Sequence, residues 1–596
     1  MTRSFGQWTL GLDGENLPSR DLIGGKAWSV GRMQALGLNV PPAFVVTAAA
    51  CKTYLASGEF PEGLEEEIDA AVIWLEAKTG RSFGHGPHPL LVSVRSGAAV
   101  SMPGMMDTVL NLGVNDTTEI ALATECGDAA FARNTHKRFL ELYSHIVLRS
   151  SIAELTETKD PTTWRALISA SCGAEVPNNP REQLSGTVRA VFESWNSRRA
   201  RRYRQHHNIP DDLGTAVTVQ AMVFGNLDTH SGTGVLFSRN PSTGAPEPYG
   251  EYLPRAQGED VVSGKFTPKP FDVLAAELPE AYEGLLTAAR KLERAGRDVQ
   301  DIEFTIERGR LFFLQSRTAK LSPHAAAQVA VDLVREGLID EKTALLRVTP
   351  DQLRTLLSPR IAESALLAAE VLVSGEAASP GVGIGIVVGD SDDAERRAHA
   401  QQAVILARPT TSPDDLHGMI ASRAVVTEQG GSTSHAAVVG RALGLPCVVG
   451  CGKGSLEALI GKTVTVDGRA GKVYAGALAI EAPDERSDAA LKALAEWAAK
   501  GSPLRVVSPS SPDASAAADL SANDDAADPE KIGAVLASLK GARGARGGVI
   551  ASNEGVQAAL KAGLEFIVAE PVLPPLIAAV RATTMSAAQG AGIEGI

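Results

Sequence analysis

Cysteine, aromatic residues and positive charge are all in short supply in this chain. Its five cysteines, Cys51, Cys126, Cys172, Cys447 and Cys451, are scattered through 596 residues. They are odd in number and form no CxxC pair, which excludes a disulfide-stapled secreted scaffold and points to a reducing, cytoplasmic setting. A formal charge of -13 excludes a general affinity for nucleic acid or an anionic membrane surface, because the average surface repels both. Long hydrophobic runs are missing too. No stretch approaches the roughly 18 consecutive apolar residues of a membrane span. The opening MTRSFGQWTLGLDGENLPSR has no apolar segment after its basic residue, so no signal peptide is expected. No repeat with a fixed period is present.

What is present is an ordinary globular composition, 44% hydrophobic and 21% charged, on a chain longer than one core can serve, so roughly three to four domains are expected. Residues 1–320 mix helical periods, as in FARNTHKRFLELYSHIVLR (131–149), with β-rich runs such as GTAVTVQAMVFG (214–225). Residues 321–376 read as a helical connector. At Ser379 the composition shifts to SPGVGIGIVVGD, where proline and closely spaced glycines break the helix. Residues 377–480 then alternate short strands and helices as a compact α/β unit. Over 481–530 a helix near 487–500 is followed by SPSSPDASAAADLSANDDAADPE, whose composition reads as a flexible or partly ordered linker. Residues 531–596 form a small α/β segment of unknown role, too short for a (β/α)₈ barrel. The expected class is multidomain α/β and α+β.

The strongest local signal is Gly430-Gly431-Ser432-Thr433-Ser434-His435-Ala436-Ala437, between the strand-like RAVVTE and the helix-forming AAVVGRALG. Ser432, Thr433 or Ser434 can cap that helix, leaving His435 at its first turn. There the unpaired N–H groups and the positive end of the dipole favour a phosphoryl group on the imidazole. A neutral imidazole nitrogen is a competent nucleophile at neutral pH. A second constellation lies in DIEFTIERGRLFFLQSR (301–317), read as a hairpin turning near Arg308-Gly309. Alternation puts Ile302, Phe304 and Ile306 on one face and Asp301, Glu303, Thr305 and Glu307 on the other. On the returning strand, Leu311, Phe313, Gln315 and Arg317 are expected to share one face. Carboxylate and amide oxygens beside a guanidinium suit a metal-bound nucleotide.

Three weaker segments accompany these. Gly24-Gly25-Lys26 precedes a helix-like run, so Lys26 can reach a phosphate near a helix start. Ser93-Val94-Arg95-Ser96-Gly97 continues into SMPGMMDT (101–108), a loop able to cover phosphates. SGTG (231–234) and Ser238-Arg239-Asn240-Pro241 add small residues and another guanidinium. Gly461-Lys462-Thr463 lacks the earlier glycine of a P-loop and reads as a strand entry. The basic run Arg198–Arg204 reads as a solvated helix face.

The octapeptide around His435 closely resembles the phosphohistidine motif of the phosphoenolpyruvate-utilising enzymes, whose mobile domain opens with a segment like SPGVGIG (379–385). Taken with the other segments, the chain resembles pyruvate phosphate dikinases from about residue 4 to residue 477. The resemblance implies an ATP-grasp region (1–320) followed by a swivelling phosphohistidine domain. It implies His435 as catalytic residue, Lys26, Arg95, Asp301, Glu303, Gln315 and Arg317 as ATP-binding residues, and Glu303 and Gln315 as ligands of Mg²⁺. SMPGMMDT, YGEY (249–252) and AQGEDVV (256–262) resemble the dikinase branch, which favours inorganic phosphate over water as acceptor of the γ-phosphoryl group.

The family's final barrel, which binds pyruvate or phosphoenolpyruvate, has no counterpart in the residues read here. The expectation is therefore a truncated form in which ATP and phosphate yield AMP, pyrophosphate and phospho-His435. The phosphoryl group then passes to an unknown acceptor, pyruvate being the acceptor only if a separate barrel-containing partner supplies that site. Two alternatives stand beside it: a nucleotide-binding regulatory protein without full turnover, and a phosphotransferase acting on a non-pyruvate small molecule, as in rifampin-type enzymes. No nucleic-acid or membrane partner is expected, and the oligomeric state, a homodimer included, is left open.

Overall fold

The structure is a computed structural model, and it describes residues 3–590 apart from 101, 103–107, 151, 153–154, 156–159, 208, 263–265, 358–359, 444, 482–484, 521–522, 528 and 540. Among the described residues no helix is long and apolar enough to cross a membrane. Four principal sheets organise the chain. The first has six antiparallel strands in the spatial order Arg3–Ser4, Thr9–Leu12, Ala43–Val46, Ala216–Ala221, Val92–Gly97, Thr108–Leu112. The second has five: Lys269–Pro270, Tyr249–Pro254, Gly232–Phe237, Gln300–Glu307 and Arg310–Thr318, also antiparallel. The helix Arg20–Ala35 joins them. Its Ser29 hydroxyl donates to the Ser316 carbonyl and accepts from the Ser316 N–H at 2.8 Å.

The third sheet is mixed and eight-stranded, with parallel pairing through Val382–Val388, Val404–Arg408, Ala424–Thr427 and Cys447–Val449. These central strands are apolar but for Arg408 and Thr427 at their ends, as befits strands covered on both faces. The sheet also recruits Val371–Ser374 and Glu376–Ser379, upstream of the proline and glycine break at Ser379. The fourth sheet is parallel: Arg505–Val507, Phe566–Val568, Gly544–Arg546, Ala518–Asp519. One of its strands, Ala518–Asp519, comes from 508–530, the stretch whose composition suggested a linker, and Arg505–Val507 immediately precedes that stretch. Leu504 and Leu520 anchor that stretch in a core with Ile567 and Val556. Sparse but well-placed apolar residues therefore substitute for a sustained period.

The connector helices Pro323–Arg335, Glu341–Arg347 and Pro350–Leu356 are not a bare linker either. They share a core with Ala489–Gly501 and Leu573–Gly590, in which Leu345, Leu353, Leu494 and Ile577 are buried. The first of them is apolar around most of its circumference, as interior helices are. Ser322 caps its N-terminus through Ala325 N–H at 3.1 Å, with Pro323 in the first turn.

Candidate active site

Lys26 enters the site through a backbone device. Gly24 has φ +76°, and a Cβ there would lie 1.8 Å from the Gly97 carbonyl oxygen. Only glycine permits both the conformation and that approach. Gly25 N–H donates to Ala98 O at 2.9 Å, which locks the helix start against the end of the Val92–Gly97 strand. Lys26 therefore faces Arg95. Ser29, one turn further along the same helix face, holds Ser316 and so brings in its neighbours Gln315 and Arg317 from the other sheet.

In the hairpin, Asp301 pairs in register with Arg317, and Glu303 with Gln315. The register then shifts: Phe304 lies opposite Phe313, leaving Leu314 as the extra residue of a β-bulge. This corrects the strict alternation expected on the returning strand. The bulge turns Leu311 and Phe313 into the core with Phe304 and Ile306, while Gln315 and Arg317 face the cleft. Arg95 Nη2 donates to Glu303 Oε2 at 3.0 Å and to Gln315 Oε1 at 2.7 Å. Arg317 Nε donates to Asp301 Oδ2 at 2.8 Å. The six residues picked from sequence thus converge, three cations against two carboxylates and an amide.

The electrostatics follow from that crowding. Burial pulls the Lys26 ammonium down to about 7; the Arg95 charge pushes the same way, Glu303 opposes, and Arg317 adds to the depression. Burial alone would raise the Glu303 carboxyl, but Arg95, Arg317 and Lys26 together hold it below its ordinary value. With Lys26 protonated the site carries one positive charge more than its own acids neutralise, a condition that an added polyphosphate relieves.

His435 opens the helix His435–Leu443. The Ser434 carbonyl accepts from Val438 N–H at 3.0 Å, so Ser434 holds the N-cap position, yet its hydroxyl has no hydrogen-bond partner. The Ser432 and Thr433 hydroxyls do not cap the helix. They donate instead to Glu251, a residue of the five-stranded sheet. Ser432 N–H is shared between Glu251 and Glu376, each at 3.2 Å, and the Tyr249 hydroxyl donates to Glu376. Burial raises the Glu251 carboxyl; the Thr433 bond works against that, and Glu376 adds to it.

Sheet register places this contact relative to the cleft. Glu251 lies opposite Val235, Val235 opposite Glu303, and Glu303 opposite Gln315. Residues in such a row project to the same face, and two strand spacings separate Glu251 from Glu303 by about 9.6 Å. The His435 loop is therefore seated on the face that carries the cation and carboxylate cluster. His435 Nδ1 lies 3.3 Å from Thr411 Oγ1, and Nε2 is buried without a partner among the described residues. Burial pushes the imidazole down to about 4 against the opposing charge of Asp415, so it is neutral at physiological pH.

Residues 20–60 and 52–281 match the family described as pyruvate phosphate dikinase, AMP/ATP-binding domain, and residues 400–471 match the PEP-utilising enzyme, mobile domain. Pyruvate, phosphate dikinase of Clostridium symbiosum is 42% identical over 536 residues, which cover 84% of this chain and 61% of that protein. The protein of the same name from Rhizobium meliloti (strain 1021) is 42% identical over 516 residues, 79% of this chain and 57% of the relative. Pyruvate, phosphate dikinase 2 of Oryza sativa subsp. japonica is 42% identical over 503 residues, 78% and 56%. The chain is similar to pyruvate phosphate dikinases through both regions. It spans about three-fifths of the length of these relatives.

Several segments of the chain take other roles than the sequence suggested. Arg239 does not join the cleft: its guanidinium is consumed by Glu293, at 2.8 Å, and Glu336, at 2.6 Å. SGTG belongs to the central strand Gly232–Phe237, where Gly234 clears room for the Phe304 ring. The basic run forms the helix Arg198–His206. Arg198, Arg201 and Arg202 are exposed, but Arg204 is buried, 4.1 Å over the Trp195 ring and paired with Asp211. Residues 101 and 103–107 of SMPGMMDT lie outside the described residues.

Two residues that hold the His435 loop went unnoticed in sequence. Glu251 sits in YGEY, which had marked only a branch likeness. Arg441 is fully buried; it donates to Ser432 O at 2.8 Å, Ala378 O at 3.0 Å and Lys320 O at 3.3 Å, tying the His435 loop to the chain before the connector. A lone charge within the apolar AAVVGRALG was the available signal.

Proposed function

We propose that this chain is the nucleotide-charging portion of a dikinase-type phosphotransferase, with His435 as the phosphoryl carrier. One observation carries the reading: Glu251, in one row with Glu303 and Gln315, holds the loop whose histidine presents a neutral, buried and unpartnered Nε2 on the face of the cation cluster.

In this reading Lys26, Arg95 and Arg317 bind the polyphosphate of ATP and neutralise the charge that spreads over the transferring group. Asp301 Oδ1 is buried and lacks a hydrogen-bond partner among the described residues. With the oxygens of Glu303 and Gln315 it makes a donor set suited to a hard cation, so the residues present fit Mg²⁺. The ion, when bound, supplies charge neutralisation on the phosphate oxygens. With Nδ1–H donating to Thr411, the Nε2 lone pair attacks the β-phosphorus and the bridging oxygen to the α-phosphorus departs with AMP. Inorganic phosphate then takes the outer phosphoryl group from the pyrophosphoryl-histidine, giving pyrophosphate and leaving phospho-His435. The loop's hold on Glu251 consists of a few hydrogen bonds from Ser432 and Thr433, whose release lets the loop leave the cleft and carry its phosphoryl group to an acceptor. Pyruvate is the first acceptor to test.

The test is incubation with ATP labelled at the β-phosphorus, Mg²⁺ and phosphate, beside the His435→Ala chain. Acid-labile label on the unmodified chain alone, with AMP released, supports the reading. ATP binding without label on His435 refutes it in favour of a regulatory nucleotide-binding role.

A further inference from the structure

Away from that cleft, a cavity of about 240 Å³ opens where the eight-stranded unit meets the segment leaving the helical connector. It holds the liquid volume of about eight waters. His324, Arg360, Ile361 and Leu366 line it from the connector side, and Val382, Asp467 and Arg469 from the eight-stranded unit.

The lining is divided in character. Ile361, Leu366 and Val382 form an apolar wall, and Leu366 remains 37% exposed with nothing covering it. The same cavity is lined by two guanidinium groups, Arg360 and Arg469, whose side chains have no ion pair or hydrogen bond among the described residues. Asp467 is the acid of the lining, and its Oδ1 is already engaged by the backbone N–H groups of Arg469 and Ala470 at 2.9 and 3.0 Å. The lining itself therefore sets two guanidinium groups against one carboxylate and carries net positive charge. His324 registers it: burial lowers its imidazole, and Arg469 lowers it further against the pull of Asp488. Paired guanidinium groups prefer planar or tetrahedral oxyanions, and an apolar wall beside them selects an anion with an aliphatic body.

We propose that this cavity is a binding site for a small organic anion, its carboxylate or phosphate shared between Arg360 and Arg469 and its aliphatic body against Ile361, Leu366 and Val382. Because the two arginines belong to different structural units, the ligand ties the eight-stranded unit to the connector and slows departure of the His435 loop. That consequence rests on the carrier reading above; the binding does not.

The probe is isobutyl phosphate, titrated calorimetrically into the full chain with ATP absent and then saturating, with isovalerate as the carboxylate arm. Saturable binding under both conditions is expected, at least tenfold weaker for inorganic phosphate and for isobutanol. Arg360→Gln and Arg469→Gln, both at exposed positions, are each expected to weaken it tenfold or more while leaving ATP affinity unchanged. Amide exchange should slow at 360–366 and 467–469 together. Unchanged affinity in both variants, displacement by ATP, or no saturable binding of either probe overturns the site. A chain that binds the probe but never labels His435 refutes the carrier reading and not this site. One that labels His435 and ignores both probes refutes this site alone.

Discussion

Lys26 allows a quantitative test of the cleft that needs no knowledge of the acceptor. Burial and the neighbouring guanidinium groups hold its ammonium at about 7, so at pH 8 about nine-tenths of the free chain carries a neutral Lys26. Polyphosphate oxygens in the cleft restore the ordinary value, because an opposite charge at contact favours the ammonium. ATP binding at pH 8 should therefore take up about 0.9 proton per nucleotide, and affinity should fall up to about tenfold per pH unit above 7. The sign is fixed by linkage: the complex holds the proton that the free chain has lost, so acid favours binding. The same depression makes the folded state bind fewer protons than the unfolded one between about pH 7 and 10, so this group's contribution to stability grows with pH across that window. Calorimetry at pH 8 in two buffers of different ionisation enthalpy measures the uptake directly. Lys26→Met should abolish it and weaken ATP, whereas Lys26→Arg should abolish it and retain most affinity. No uptake in the unmodified chain, or the same uptake in Lys26→Met, would refute the assignment of Lys26 to the polyphosphate.

Three further outcomes follow from the geometry. Glu251→Ala removes the acceptor of the Ser432 and Thr433 hydroxyls and should slow labelling of His435 about tenfold or more with ATP affinity intact; a parallel loss of ATP affinity would place Glu251 in the nucleotide site instead. Gly24→Ala puts a Cβ 1.8 Å from the Gly97 carbonyl at φ +76°, so thermal melting should report a loss of about 1–3 kcal/mol and ATP affinity should drop with it. Arg239→Met strands the buried Glu293 carboxylate and should cost about 3–5 kcal/mol in urea unfolding while sparing ATP affinity. The reverse pattern would return Arg239 to the polyphosphate.

Much of the cleft was legible in the linear chain because its signals are local. Period-two alternation is a property of an extended backbone, so Asp301 and Glu303 share a face wherever that strand lies. Gly24-Gly25 before Lys26 and the small residues before His435 are likewise statements about one turn of chain. Other features were settled only by long-range packing. Leu314 became the bulged residue because Phe313 is worth more in the core beside Phe304 than on the cleft face, and that choice is what turns Gln315 toward Arg95. Ser432 and Thr433 could have capped their own helix; a carboxylate from a strand 181 residues away in sequence took them instead. Arg239 was drawn to Glu293 and Glu336 by burial, not by any neighbour in sequence. Within the linker-like stretch 508–530, Ala518–Asp519 became a strand because a parallel sheet completed later in the chain offered it a partner. The sequence by itself determined which side chains each segment could present; which of them met was decided by register, burial and competition for partners, none of which is encoded within a single segment.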